Sequence, residues 1–78
     1  MTAQQAKEHA VLVHAALDAE LRNYAIGMAA AFKSLTSSYK PTPAEIAEQR
    51  TAEAEWRKAS TALADFEAQR RQRRAQAL

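Results

Sequence analysis

Two histidines, a C-terminal run of arginines and a few carboxylates are the side chains of this chain that could do chemistry, and their spacing limits what they can do. His9 and His14 stand five residues apart, whereas two metal ligands on one helix face stand four apart, as in a His-Glu-x-x-His run. Only His14 with Asp18 has the required spacing, and the Glu-x-x-His pattern of carboxylate-bridged metal bundles is missing. The sequence has no cysteine and a single glycine, so it offers neither a thiolate nor a glycine-rich phosphate loop, and no serine sits in a nucleophile turn. The expectation is a non-enzyme with no catalytic residue, no metal site and no cofactor. Arg70, Arg71, Arg73 and Arg74 form the strongest charged feature. They suit contact with an acidic protein patch or with nucleic acid, but no aromatic residue is interleaved with them. Arginines closing a helix also complement its macrodipole, and that is the favoured reading. A small dimeric helical nucleic-acid-binding protein is the alternative, and a structural subunit of a larger assembly is a third reading.

The charge pattern agrees with helix ends rather than a basic stripe. The formal net charge is +2. Residues 1–40 hold four basic and three acidic groups, residues 41–55 one basic and four acidic, and residues 68–78 four arginines. Acid early and base late within one helix is the order its dipole favours. The longest stretch of the first helix lacking charge or histidine, Asn23 to Phe32, is too short to span a bilayer. A cytoplasmic protein without a membrane partner is the default, and the absence of cysteine suits a reducing compartment.

The elements that must position these groups are helical. Alanine, glutamate, glutamine, arginine and leucine dominate and β-branched runs are absent, which favours helix nearly everywhere. The break comes at Lys40-Pro41-Thr42-Pro43-Ala44-Glu45. Thr42 is placed as an N-cap, Pro43 as the first helical residue and Glu45 as the reciprocal partner of a capping box. Pro41 drives Lys40 out of the α region. The spacing therefore predicts an all-α, single-domain helix-turn-helix hairpin over residues 1–78, with one helix over about 3–39 and a second over about 43–74. Thr2 and Gln5 have capping-box spacing at the start of the first helix.

In the first helix Ala10, His14, Leu17, Leu21, Tyr24, Met28, Ala31 and Leu35 alternate by four and three, as a packed seam does, with Val13, Phe32 and Tyr39 beside them. In the second helix Gln49, Ala52, Trp56, Ala59, Leu63, Phe66 and Arg70 do the same. Folding one on the other predicts Met28 against Ala52, Leu21 against Ala59, Tyr24 against Trp56 and Leu17 against Leu63, with His14 near Phe66. Asp18 with Arg22, Glu53 with Arg57 and Glu67 with Arg71 are placed as i, i+4 ion pairs. Two helices cannot enclose such a seam by themselves, so two hairpins are expected to join as a homodimeric four-helix bundle. Leu17, Leu21, Tyr24, Met28, Trp56, Leu63 and Phe66 would form its core or dimer seam.

The hairpin tip offers a second candidate surface of Tyr39, Lys40, Pro41, Ile46 and Arg50, rich in the residue types of binding hot spots. Tyr39 continuing the seam and Ile46 stapling onto Pro41 is the structural reading of the same residues, and the two are compatible. With its long helix, Pro-Thr-Pro-Ala-Glu-Ile turn and second helix carrying Glu-Trp-Arg-Lys-Ala, the chain resembles the small helical-hairpin anti-activators of quorum sensing made by Pseudomonas phages. That resemblance implies a dimeric, non-enzymatic inhibitor of a LuxR-type transcriptional regulator, and of the type IV pilus-assembly ATPase, acting in the host cytoplasm.

Overall fold

The structure is a computed structural model that describes residues 2–35 and 39–77. Its described residues form two helices, α1 (Ala3–Ser34) and α2 (Pro43–Ala77), packed side by side and antiparallel in a rod of 61 × 18 × 18 Å. The all-helical hairpin is as expected. Thr2 caps α1 reciprocally with Gln5: the Gln5 backbone N–H donates to Thr2 Oγ1 at 3.1 Å, and the Thr2 N–H donates to Gln5 Oε1 at 2.9 Å. Thr42 and Glu45 repeat the device at the start of α2, at 3.2 and 3.4 Å. Each box satisfies backbone donors that helix geometry leaves free.

Helix α1 is shorter than expected. It ends at Ser34 rather than near Tyr39, because the Ser34 hydroxyl turns back onto the Ala31 carbonyl (2.7 Å) and the Leu35 N–H bonds to the Phe32 carbonyl (3.3 Å), tightening the last turn. The expected helix over residues 36–38 lies outside the described residues. Helix α2 runs three residues beyond its expected end, to Ala77.

The seam of α2 is the expected one. Gln49, Trp56, Ala59, Leu63, Phe66 and Arg70 are half-buried, and Ala52, at 3% exposure, is the buried residue of the core. The seam of α1 is not. Tyr24 and Leu21 are each 65% exposed, and Leu17, Met28 and Leu35 also face solvent. The half-buried residues of α1 are instead Gln5, His9, Leu12, Ala16, Ala19, Asn23, Ile26 and Ala30, with Val13 beside them. They too alternate by four and three, so α1 carries two heptad faces offset by five residues, roughly 140° apart at 100° per residue.

The register follows from direct contacts. His9, not His14, stacks on Phe66 with ring centroids 5.7 Å apart and planes 19° apart. Arg22 bonds Glu55 at 2.9 Å, and Lys33 bonds Glu45 at 3.2 Å. Stepping along both seams from His9 and Phe66 sets Leu12 level with Leu63, Ala16 with Ala59, Ala19 with Trp56 and Asn23 with Ala52. The expected pairings of Met28 with Ala52, Leu21 with Ala59 and Tyr24 with Trp56 are therefore replaced. Leu17 does line a groove with Leu63, but from its edge. The choice of face is steric: small residues of α1 let the helix axes approach while Trp56, Leu63 and Phe66 of α2 supply the bulk.

Candidate interaction surface

Three surfaces of the rod leave candidate side chains accessible: the tip, the open end and the bare face of α1. At the tip, Tyr39 lies against the first turn of α2. Its hydroxyl donates to Glu45 Oε2, the carboxylate oxygen that also takes Lys33 Nζ, and Lys33 lies 5.5 Å from the Tyr39 ring centroid. The other oxygen, Oε1, accepts from the Thr42 hydroxyl at 3.1 Å. Tyr39 is half-buried in this network, while Lys40, Pro41, Ile46 and Arg50 are exposed, Ile46 the least of the large apolar side chains that face solvent. Tyr39 is thus tied to Glu45 at the start of α2, and the open part of the tip is the group formed by Lys40, Pro41, Ile46 and Arg50.

Both acidities at the tip are displaced by this bonding. The Tyr39 hydrogen bond, then those from Lys33 and Thr42, outweigh partial desolvation and hold the Glu45 carboxyl down at about 2, against an ordinary 4.5. The same bond, with desolvation and the Glu45 charge, pushes the Tyr39 phenol up to about 12 from 10. A depressed carboxyl stabilises the folded tip above its unfolded value and loses that contribution as pH falls from 4.5 towards 2. A raised phenol stabilises it below 10 and loses the contribution as pH rises towards 12. Titration of phenolate absorbance should find one tyrosine ionising near 12, and Glu45→Gln should return it to near 10. A Tyr39 that ionises near 10 in the unsubstituted protein would show that the hydrogen bond does not form in solution.

At the open end, Arg70, Arg71 and Arg74 line a groove of about 250 Å³ with His9 and Glu67. Glu67 does not pair with Arg71 as its spacing suggested. It turns to His9, with 3.3 Å between Oε1 and Nε2. Arg22 likewise leaves Asp18 for Glu55, and of the three expected i, i+4 pairs only Glu53 with Arg57 forms, at 2.6 Å. Among the described residues none of Arg70, Arg71, Arg73 and Arg74 has an ion-pair partner.

The bare face of α1 carries most of the exposed large apolar side chains among the described residues. Leu17, Leu21, Tyr24, Met28 and Leu35 run along it, and Val11 and Phe32 flank it at 67% and 71% exposure. Sequence reasoning identified this row but gave it to α2. It missed Val11, which sits seven-residue steps away from Phe32 on the same edge of the stripe. Helix α2 has no counterpart, since its large apolar side chains face α1 and Ile46 alone among them reaches 37% exposure.

Comparison with known protein families, curated proteins and solved structures finds no match. Function must therefore be read from these surfaces. No group of three or more histidine, cysteine, aspartate or glutamate side chains gathers for a metal among the described residues, and no helix there is long and apolar enough to cross a membrane.

Proposed function

We propose that this chain is a non-enzymatic protein-binding inhibitor that works as a homodimer of hairpins, a four-helix assembly whose tips engage a host protein. The observation that carries this reading is the continuous row of exposed large apolar side chains on α1, which marks a surface meant to be covered. Resemblance to the phage anti-activators of quorum sensing supplies the target class, a LuxR-type transcriptional regulator and the pilus-assembly ATPase of the host cytoplasm. Lys40, Pro41, Ile46 and Arg50 are the contact residues, and Tyr39 holds the turn that presents them. A second reading, binding of nucleic acid through Arg70, Arg71, Arg73 and Arg74, is favoured by their lack of carboxylate partners among the described residues.

The test is affinity capture of the tagged protein from a Pseudomonas host, followed by mass spectrometry of the co-purifying material. The expected result is a stoichiometric LuxR-type regulator, lost when Ile46 and Arg50 are both replaced by alanine while helical circular dichroism stays unchanged. Recovery of nucleic acid without a stoichiometric protein, abolished by alanine at the four arginines and by raised salt, would replace the first reading by the second.

A further inference from the structure

We infer that the occupant of the bare face of α1 is α1 of a second copy, running antiparallel, with the two-fold axis passing between Arg22 and Asn23. This rests on the homodimer proposed above and specifies how it is built. Three observations carry it.

The first is area. The hairpin exposes 6328 Å², whereas a compact monomer of 8.6 kDa exposes roughly 4,700 Å² by the mass scaling of folded proteins. The excess is about twice the roughly 800 Å² per partner that a stable interface buries. A rod explains part of the excess, but every exposed large apolar side chain among the described residues except Ile46 lies along α1 and its cap. Helix α2 turns Trp56, Leu63 and Phe66 towards α1, so among the described residues the matching row of exposed large apolar side chains on another copy is that copy's own α1.

The second is symmetry of the stripe. Its positions from Ala10 to Leu35 mirror one another about the point between Arg22 and Asn23. Antiparallel packing then sets Leu21 against the partner's Tyr24, Leu17 against the partner's Met28, and Ala10 against the partner's Leu35. Beside the seam, Val11 comes next to the partner's Phe32, so two of the most exposed apolar side chains cover each other. Parallel packing would set Ala10 on Ala10 and leave Val11 and Phe32 open.

The third is charge. Parallel packing would bring two four-arginine clusters to one end. Antiparallel packing keeps the two clusters at opposite ends of the rod, and it opposes the dipoles of the two α1 helices. Because the bare stripe lies roughly 140° around α1 from the covered seam, the four helices form a curved row with the two α1 helices inside and the two α2 helices outside, not a square bundle.

The chain has no cysteine, so cross-linking decides the orientation. Chains carrying Leu17→Cys and chains carrying Met28→Cys are mixed, allowed to exchange and treated with a short bismaleimide. Antiparallel packing yields the mixed 17–28 product, because like positions would lie about 16 Å apart along the axis. Like-with-like products in excess of the mixed one would overturn it. Light scattering of the unsubstituted protein at tens of micromolar should give twice 8.6 kDa; the mass of one chain, or of more than two, would overturn the dimer. Replacing Leu21 and Tyr24 together by glutamate should raise the dissociation constant on the order of 100-fold or more. Should that double variant unfold, the cysteine pair still decides. Host-protein capture is read separately through Ile46 and Arg50, so failure of the dimer geometry and failure of the inhibitor reading are distinguishable.

Discussion

Replacing Trp56 by alanine is expected to lower the stability of the hairpin by about 3 kcal/mol, the lower end of the range for truncating a large aromatic in a core. Trp56 is the single tryptophan of the chain and stands mid-way along the α2 seam, half-buried and level with the small side chain of Ala19. No larger neighbour on α1 can move in to fill the space it leaves. One edge of the indole borders a shallow groove with Arg57, Ser60 and Thr61, which is why the cost falls at the lower end. A domain of this size has only about 4 to 12 kcal/mol of stability to lose. Urea unfolding followed by far-ultraviolet circular dichroism at one fixed protein concentration measures the difference. A cost under about 1 kcal/mol would place Trp56 outside the seam and break the register deduced from His9 and Phe66.

The sequence reveals α2 better than α1, for a physical reason that particular residues make plain. On α2 the apolar side chains occupy one stripe and Glu53, Arg57 and Glu67 occupy the other faces, so periodicity has one solution and Gln49 to Arg70 are correctly placed. On α1 periodicity has two solutions. Leu17, Leu21, Tyr24 and Met28 make the more hydrophobic stripe, and size favours it as the hairpin core. The contacts use the other one, with Leu12, Ala16, Ala19, Asn23, Ile26 and Ala30, because a bulky α2 stripe needs a small-residue partner for the axes to approach. Large still meets small across the hairpin, but on the other face of α1. His9 and Asn23 conceal the second stripe, since each is polar and each sits at a seam position of α1.

The same ambiguity governs the candidate sites. Capping chemistry at Thr42, Pro43 and Glu45 fixes the start of α2 from sequence alone, and the structure keeps it. The reach of Tyr39 and Lys33 onto Glu45 is not local to the cap: it depends on where α1 stops, and that is set by the Ser34 hydroxyl folding back on Ala31. Ion pairs show the same hierarchy. Glu53 and Arg57 keep the pairing that helical spacing predicts, while Arg22 and Glu67 are drawn across the hairpin to Glu55 and His9. Exposed pairs of this kind are worth about 0 to 1 kcal/mol each, so they indicate register more than they stabilise it.

Substitution of Ala52 by glutamate should be more damaging than loss of Trp56 and should leave little folded hairpin at all. Ala52 is 3% exposed and level with Asn23 across the contact between the helices. A glutamate there overpacks the contact, which alone costs about 1 to 3 kcal/mol. It also brings a carboxylate into the contact between the helices, where the nearby Arg22 is already bonded to Glu55, and such a group destabilises by several kcal/mol more unless it takes up a proton or the helices part. Ala54, two residues on and exposed, is the control: glutamate there keeps the same helix propensity and charge change and should shift stability by no more than about 0.5 kcal/mol. Thermal unfolding of the two variants side by side separates burial from charge. Equal melting temperatures would mean that α2 does not pack on α1 through Ala52. A large loss at Ala52 alone requires Ala52 to lie inside the contact between the helices, as its burial has it.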